Sequence, residues 1–430
     1  MFKKKRSYLI PSIGFLLIIL IGAALLMLPI SNQRPILFKD AMFMSASGLT
    51  TNGMGTVNIQ EQFTFFGQFV LMILMEIGAL GFVVFISYFW SIKNKKVTMS
   101  DMIVIRDNIS GDSYSQLKQH SAFVINFMLK VQLTGMILLA FQFIPDFGFA
   151  RGIWYSIFHI ISAFSNTGYH LLDANGLYIY RNNVYVQLVF MIFMLVGSIG
   201  VLVIEDLNNL RLKRQKKLRV QSKIVLIYTA IMIIIPLFLI HRVESYNTTL
   251  MNSLFMVVSS RSTGFSVVDL AAYTNVSKVI LIVLMFIGGG PISTAGGVRI
   301  VPFAIVIATM YSTLKGKKDT ILFWKKIPDS AVRKSFTVVM LFILLISIST
   351  LIIMHNTKIT SMDVVFNVTS ALCTTGLQTI DINELTIGQQ YLLILLSFIG
   401  RVGPLSWALL FVGEDKKRKY LVYPKEDVVI

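Results

Sequence analysis

Residues 285–303 read MFIGGGPISTAGGVRIVPF and lie inside an apolar run that extends from about Val276 to Met310. The run is long enough to cross a bilayer as a helix. Its middle, however, is rich in glycine and contains Pro291, and these residue types are the least compatible with a helix. An unwound backbone in hydrocarbon leaves N–H and C=O groups unpaired, so it occurs only where it is buried in protein or borders water. The stretch therefore predicts a membrane helix that is broken beside an aqueous cavity.

The composition is typical of an integral membrane protein. Of the 430 residues, 55% are hydrophobic and 14% are charged, and the mean hydropathy is +0.72. Long apolar segments lie near 8–29, 66–92, 121–144, 184–204, 222–241, 277–313, 336–354 and 390–412. Each is long enough to span a hydrocarbon core of roughly 30 Å. We therefore expect eight transmembrane helices.

The basic residues predict the orientation of the chain. The net charge is +18, and Lys and Arg cluster in alternate connections and at both termini, at 3–6, 93–96, 211–219, 315–326 with Arg333 and Lys334, and 416–419. Because cytoplasmic connections carry the excess of Lys and Arg, this distribution places both termini in the cytoplasm. Topology and membrane lipid explain the positive charge, which argues against nucleic acid as a partner.

The sequence lacks the patterns of an enzyme. Cys373 is the single cysteine, and the five histidines are scattered without HxxxH or HExxH spacing. These features exclude an internal disulfide and argue against a cysteine metal cluster and a hydrolase. A membrane enzyme would also need a constellation of His, Asp or Ser residues that the sequence does not suggest.

A similar short phrase recurs in four connections that the charge pattern places outside. The phrases are MFMSASGLT (42–50), SAFSNTGYH (162–170), VSSRSTGFS (258–266) and SALCTTGLQ (370–378). In each, an aligned glycine follows a hydroxyl-bearing residue and precedes a large apolar residue. The candidate ion-binding residues are then Ser47, Gly48, Leu49, Thr167, Gly168, Tyr169, Thr263, Gly264, Phe265, Thr375, Gly376 and Leu377.

Three of the phrases also share an aspartate. Asp173, Asp269 and Asp381 each lie five residues after the glycine, whereas the first phrase has Gly53 at that position. A single pair of a hydroxyl-bearing residue and a glycine is often only a helix cap, since glycine is favoured just past helix ends. Four such pairs, each between two apolar segments, favour a shared function instead.

This spacing predicts the fold and the chemistry of the site. Glycine permits backbone angles that turn carbonyl oxygens toward an axis, where they can replace the water shell of a monovalent cation. A half-length helix before each phrase points its partly negative C-terminal end the same way. We predict an all-α integral membrane protein of four parallel M1–pore helix–M2 repeats around a central pore, with four re-entrant pore loops. The repeats cover residues 1–92, 93–210, 211–314 and 315–430.

The motifs SNTGYH and SSRSTGF, with GGGPISTAGGVR and FIGRVGPLS (398–406), resemble the Trk/Ktr/HKT superfamily of potassium transporters, and most of all its Ktr-type membrane subunits. The resemblance covers almost the whole chain. It implies a potassium-translocating subunit in the cell membrane, with K⁺ in a filter lined by one glycine from each repeat. It also implies a homodimer, stimulation by Na⁺ and a cytoplasmic ring of RCK-type regulatory subunits. Because the chain has no glycine-rich βαβ unit, nucleotide is expected on that separate subunit and no cofactor in this chain.

The resemblance also assigns a role to the broken helix. In that superfamily a glycine-rich intramembrane loop interrupts the third M2 helix below the filter and acts as a gate. Removing the loop is expected to raise flux without changing the preferred ion, because the filter lies outside it. An arginine in the fourth M2 helix is expected to contact the free carbonyls of the loop. The gating residues are then Gly288, Gly289, Gly290, Pro291, Ser293, Thr294, Gly296, Gly297 and Arg401.

Two other charges lie in apolar surroundings. Arg261 is expected to organise the scaffold behind the filter through carboxylates or carbonyls of neighbouring repeats. Glu76 either pairs with Lys130 or is neutral.

An alternating-access carrier of Na⁺ or K⁺, with the broken helix as its substrate site, is the alternative function.

Overall fold

The computed structural model describes residues 2–81, 114–172, 176–246, 248–355 and 357–403. Asp173, the basic clusters at 93–96 and 416–419, and the boundary between the first two repeats lie outside these ranges. The helices are α1 (Phe2–Met27), α2 (Phe38–Leu49), α3 (Ile59–Gln62), α4 (Phe65–Leu80), α5 (Tyr114–Phe147), α6 (Phe149–Phe164), α7 (Val184–Ile199), α8 (Val201–Arg211), α9 (Val220–Val243), α10 (Leu250–Ser259), α11 (Asn275–Ile287), α12 (Ile300–Leu314), α13 (Asp329–Met354), α14 (Ser361–Leu372) and α15 (Ile387–Val402). A hairpin of β1 (Ile321–Leu322) and β2 (Lys325–Lys326) pairs Ile321 with Lys326. Short 3₁₀ turns lie at Pro29–Ser31, Gly176–Tyr180 and Ile382–Glu384.

The helices follow one order four times. A long helix (α1, α5, α9 or α13) of 24 to 34 residues precedes a short helix (α2, α6, α10 or α14) of 10 to 16 residues. A loop and a second helix (α4, α7, α11 or α15) of 13 to 16 residues complete each unit. Each second helix also packs on the short helix of the next unit, in the pairs α4–α6, α7–α10, α11–α14 and α15–α2. Because the last pair returns to the first unit, the four units close on themselves.

The second helices begin with the same local device. A side chain at the N-cap of each accepts a hydrogen bond from the amide three residues later, and these caps are Thr64, Asn183, Thr274 and Thr386. Such a bond satisfies one of the amides that has no partner inside the helix. The start of each second helix is therefore determined locally by its sequence.

Within the part of the chain that the structure describes, three helices are by themselves long and apolar enough to cross a membrane. By length and composition these are Phe123–Phe147, Val220–Val243 and Asp329–Met354, all three within the described ranges. The helices α7 and α8 count as a fourth span if the pair is taken as one helix bent by 94°. The second helices are too short to qualify alone because each ends at a glycine after 16 residues or fewer.

The core lies around the short helices. One buried phenylalanine from each short helix, at most 2% exposed, belongs to a single continuous apolar cluster, and these residues are Phe43, Phe158, Phe255 and Phe366. The outward faces of the long helices expose Leu, Ile and Phe side chains, as lipid-facing helices do. This arrangement buries the short helices and the loops after them inside the bundle.

Candidate functional site

Four glycines with a left-handed backbone lie next to one another in the loops after the short helices. Their φ angles are +84° at Gly53, +87° at Gly168, +79° at Gly264 and +89° at Gly376. A Cβ atom added to any of them would collide with the backbone of the next unit, and the collisions run from the first unit to the fourth and back to the first. The four loops therefore form a closed ring, here called the glycine ring.

The glycine ring is interleaved with carbonyl oxygens. The atom that each added Cβ would meet first is the carbonyl oxygen of the residue before the next glycine, and these residues are Asn52, Thr167, Thr263 and Thr375. Any side chain would occupy the space of that oxygen, and residues other than glycine rarely adopt such φ angles. The short helices end four or five residues before each glycine, so their partly negative C-terminal ends face the ring. The site is suited to a cation.

The first unit contributes Gly53 to the ring, and not Gly48 as the sequence alignment predicts. Gly48 lies inside α2, which ends at Leu49, and Ser47 belongs to the same helix. The alignment of the first phrase is therefore displaced by five residues. The other three predicted glycines lie where the ring requires them.

Two further features agree with Gly53. The buried Phe43 lies ten residues before it, and Phe158 and Phe366 lie ten residues before their own ring glycines. Five residues after it, Asn58 accepts a hydrogen bond from the amide two residues later, at 2.9 Å. Asp269 and Asp381 make the same bond five residues after their glycines, at 3.0 and 2.9 Å. With this alignment the first unit also has its polar residue, Asn58, at the position of the aspartates.

The third unit is shorter than the others by one residue. Thr51, Asn166 and Thr374, two residues before their ring glycines, have φ angles of +54°, +57° and +48°, whereas the third unit has no such residue. Its short helix places Ser259 five residues before Gly264, where the other units have a serine six residues before the glycine. The ring is therefore not strictly fourfold symmetric.

Tyr169 and His159 hold the ring from behind, a role that the sequence does not predict for either residue. The Tyr169 hydroxyl donates to the carbonyl of Met44 at 3.0 Å, which ties the second loop to the first short helix. Nε2 of His159 accepts from the Leu171 amide at 3.1 Å, and its Nδ1 lies 2.7 Å from the Tyr155 carbonyl oxygen. Because the amide can only donate, the proton of this buried histidine lies on Nδ1.

A cavity of about 790 Å³ opens on one side of the glycine ring. Its lining includes all four ring glycines, the residues that directly follow three of them (Tyr169, Phe265 and Leu377), and the carboxylates Asp269 and Asp381. The described lining residues include no lysine or arginine. A cation approaching the ring from this side therefore meets a negative potential.

Every second helix ends at a glycine with positive φ, not only the third. These glycines are Gly81, Gly200, Gly288 and Gly403, with φ angles of +71°, +96°, +69° and +99°. In the second unit the chain resumes a helix at once as α8. In the third unit, residues 288–299 intervene before α12 begins, and they are here called the glycine-rich loop.

The glycine-rich loop is fastened to the break in the second unit. The Gly290 amide donates to the Ser198 carbonyl at 2.8 Å, and the Val201 amide donates to the Ile292 carbonyl at 3.1 Å. The Ile300 amide donates to the Gly289 carbonyl at 2.9 Å and ties the two ends of the loop together. The backbone groups released by unwinding are thus partly paired within the protein, as a membrane environment requires.

The predicted contact between Arg401 and the loop is present. Nη1 of Arg401 donates to the Thr294 carbonyl at 2.5 Å, and Nη2 donates to the Gly78 carbonyl. The guanidinium therefore links the loop to the second helix of the first unit. Carbonyls released where helices end are suitable acceptors for a charge that is costly to bury.

The partner of Arg261 differs from expectation. Arg261 is 1% exposed, and its guanidinium donates from Nη2 to the hydroxyl of Thr229 on α9 at 3.2 Å, not to a carboxylate of a neighbouring unit. Glu76 lies beside the side-chain amide of Gln132 on α5. Arg261 therefore joins the short helix of the third unit to the long helix of the same unit.

Comparison with known proteins identifies the family. A family model described as TrkH, cation transport protein, matches residues 5–420. The chain therefore belongs to this family of membrane cation transport proteins, in agreement with the resemblance of its motifs. The family is one of transport and not of enzymes.

Two curated relatives and one solved structure are similar over nearly their whole length. The Ktr system potassium uptake protein B of Bacillus subtilis is 32% identical, with 97% of this chain and 95% of the relative covered. The potassium/sodium uptake protein NtpJ of Enterococcus hirae is also 32% identical, with 100% and 99% covered. The potassium transporter TrkH from Vibrio parahaemolyticus has a TM-score of 0.76 at 17% identity, with 95% of this chain and 85% of that one covered, so it shares the fold.

Proposed function

We propose that this chain is the potassium-translocating membrane subunit of a Ktr-type uptake system and that cations pass through the glycine ring in a channel-like manner. The observation that carries the proposal is the alternation of positive-φ glycines with the carbonyls of the residues before them. Oxygens held in this way can replace part of the water shell of a monovalent cation. The similarity to relatives named for the uptake of potassium, or of potassium and sodium, supports the same function.

The selectivity filter consists of the ring glycines and their immediate neighbours. From the second, third and fourth units it takes the residues that the sequence predicts. From the first unit it takes the residues around Gly53. The proposed filter is Asn52, Gly53, Met54, Thr167, Gly168, Tyr169, Thr263, Gly264, Phe265, Thr375, Gly376 and Leu377.

The glycine-rich loop acts as the gate. Residues that follow the ring glycines line the cavity, whereas residues that precede them contact Thr294 and Gly296 of the loop. The ring thus lies between the cavity and the loop, and the loop blocks the path on the far side. Arg401 holds the blocking position through its bond to the Thr294 carbonyl.

The subunit works in the cell membrane as a homodimer with both termini in the cytoplasm. A separate RCK-type ring binds nucleotide and controls the gate, and Na⁺ stimulates flux. The exposed lysines of residues 315–326, which lie in and beside the hairpin, offer a docking surface to that ring. Relatives named as protein B of a Ktr system support the existence of a partner subunit.

Flux into proteoliposomes tests the proposal. Purified protein is reconstituted, and uptake of K⁺, Rb⁺, Na⁺ and Li⁺ is compared at equal gradients. We expect uptake of K⁺ and Rb⁺ to exceed that of Na⁺ and Li⁺, with single-channel events in planar bilayers.

Gly168→Ala should reduce this preference, because its Cβ would collide with the Thr263 carbonyl. Gly388→Ala is the control and should keep the preference, because its Cβ meets no atom within 4 Å. No cation uptake by folded protein would refute the proposal, and slow saturable uptake without channel events would favour the carrier.

A further inference from the structure

The glycine ring and the glycine-rich loop are in direct contact through one set of positions. The residue two places before each ring glycine contacts the short segment from Thr294 to Gly296. The Thr51 hydroxyl lies 3.5 Å from the Thr294 carbonyl, and the Asn166 amide nitrogen lies 2.5 Å from the Thr294 hydroxyl. The Gly296 amide donates to the Ser262 hydroxyl at 2.8 Å, and a Cβ on Gly296 would collide with the hydroxyl of Thr374.

The side-chain amide of Asn166 also contacts a second loop of the ring, as the Ser262 hydroxyl does by donating to the Thr374 carbonyl at 3.4 Å. Oδ1 of Asn166 accepts from the Thr263 hydroxyl at 2.5 Å. The Thr294 hydroxyl in turn donates to the Phe164 carbonyl at 3.1 Å. Asn166, Thr263 and Thr294 are all at least 94% buried.

The directions of these bonds are determined by the groups themselves. A side-chain amide nitrogen only donates and an amide oxygen only accepts, so the chain runs from Thr263 to Asn166 to Thr294 to the Phe164 carbonyl. Each hydroxyl in it has one proton to donate, and each is used. The carbonyl of Thr263 is one of the four oxygens of the ring. This series of hydrogen bonds therefore connects a residue of the ring to the glycine-rich loop.

We propose that Asn166 is a specificity-determining positioning residue, which couples the cation preference of the ring to the position of Thr294 in the glycine-rich loop. With the loop in place, the side-chain nitrogen of Asn166 is bonded to Thr294 and its side-chain oxygen is bonded to Thr263. These two bonds keep the Thr263 side chain in one orientation. Without the Thr294 hydroxyl, the Asn166 nitrogen has no hydrogen-bond partner in a buried site. The loop that contains Asn166 then rearranges so that this nitrogen can bond another acceptor. The inference rests on the proposed function of the ring as the selectivity filter.

This coupling changes one expectation from the sequence. If the loop were separate from the filter, its removal would raise flux and leave the ion preference unchanged. Because Thr294 supports the filter through Asn166, removing the loop is expected to change the preference as well. Coupling between two sites is reciprocal, so the cation in the ring must also affect the stability of the loop position.

Thr294→Val tests the inference, because valine has nearly the shape of threonine but no hydroxyl. Binding of K⁺ and of Na⁺ to the purified protein is measured by isothermal titration calorimetry. We expect the ratio of the two affinities to change by roughly two- to tenfold, the range that loss of one hydrogen bond gives. Thr294→Ser retains the hydroxyl and should retain the wild-type ratio. Thr309→Val, which removes a hydroxyl bonded to Ile305 and Thr320 beyond the loop, is the matched control and should also retain it.

Amide hydrogen exchange supplies a second readout. In the wild type, the amides of residues 293–297 should exchange at different rates in K⁺ and in Na⁺, and the difference should disappear in Thr294→Val.

If Thr294→Val does not fold, Thr294→Ala removes the same hydroxyl and is measured in its place. A wild-type affinity ratio in the variant without the hydroxyl would overturn the inference, as would equal changes in Thr294→Val and Thr294→Ser. Wild-type protein that binds neither cation would instead overturn the proposed function of the ring.

Discussion

Gly53 and Gly48 make a matched pair for testing which glycine of the first unit belongs to the ring. Gly53→Ala forces a Cβ atom into the carbonyl oxygen of Thr167 at a φ angle of +84°. A residue other than glycine in such a conformation costs about 1–3 kcal/mol, before the displacement of the carbonyl is added. Gly48→Ala meets the ring of Tyr169 at 3.5 Å and the side chains of Leu74 and Leu71 at 3.7 and 3.8 Å, which are ordinary contacts. Since Gly48 lies in a helix, alanine there should stabilise the fold by about 0.5–1 kcal/mol.

The assay is the ratio of K⁺ to Na⁺ uptake in proteoliposomes, with the thermal unfolding midpoint measured on the same samples. If displacement of the Thr167 carbonyl removes about 1.4 kcal/mol of discrimination, the uptake ratio for Gly53→Ala falls about tenfold. The Gly48→Ala ratio should stay at the wild-type value, with an unchanged or higher unfolding midpoint. Protein amount in the membrane is determined for both variants, so that poor expression is not mistaken for lost preference.

The opposite pattern would refute the reasoning. If Gly48→Ala abolished the preference and Gly53→Ala kept it, the alignment that the sequence predicts would be the functional one. Equal loss in both variants with equal unfolding midpoints would show that the ring contacts do not determine ion preference in the first unit.

Three further substitutions test the ring and the loop. Gly264→Ser places a side chain against a ring carbonyl and should reduce ion preference more than protein amount; an unchanged uptake ratio would contradict the role of the third unit. Arg401→Ala removes two hydrogen bonds to backbone carbonyls and should raise K⁺ flux while lowering the unfolding midpoint. Combined with deletion of the loop it should add nothing to flux, since both changes abolish one interaction, and additive increases would show that Arg401 acts elsewhere. Gly200→Ala inserts a methyl group against the carbonyl of Pro291 and should raise flux by displacing the loop. Gly388→Ala is its control, and equal flux in these two variants would argue against displacement.

Much of the architecture is local and could be predicted from the sequence. The apolar segments, the alternation of basic connections and the glycines of 288–297 each report on their own neighbourhood through hydrophobicity, charge or helix propensity. Arg401 could be linked to the loop for the same reason, because a buried arginine needs acceptors and an unwound backbone supplies them. The partner of Arg261 could not be predicted in this way. Its acceptor is the hydroxyl of Thr229, which the sequence does not distinguish from many other hydroxyl groups.

The sequence also contains a signal for the breaks in the other second helices. The pattern Gly-x-x-Gly occurs at 78–81, 197–200 and 400–403, and its second glycine ends the helix each time. The first glycine of each pair packs against a carbonyl at the end of a short helix, at Leu49, Phe164 or Leu372. The pattern becomes informative only when the packing of one helix on another is known.

The sequence by itself therefore determined the class of protein, the recurrence of the four phrases and the position of the broken helix, because these depend on residues that are close along the chain. Only the tertiary structure decided that Gly53 and not Gly48 completes the ring. Both glycines follow polar residues, and the choice depends on the Thr167 carbonyl, which another unit places where the Cβ atom of residue 53 would lie. The same is true of the contact between Asn166 and Thr294, which lie in different units and meet because the second helices close the four units into a ring. Contacts between residues so far apart along the chain leave no local pattern, and they exist only after the units have packed together.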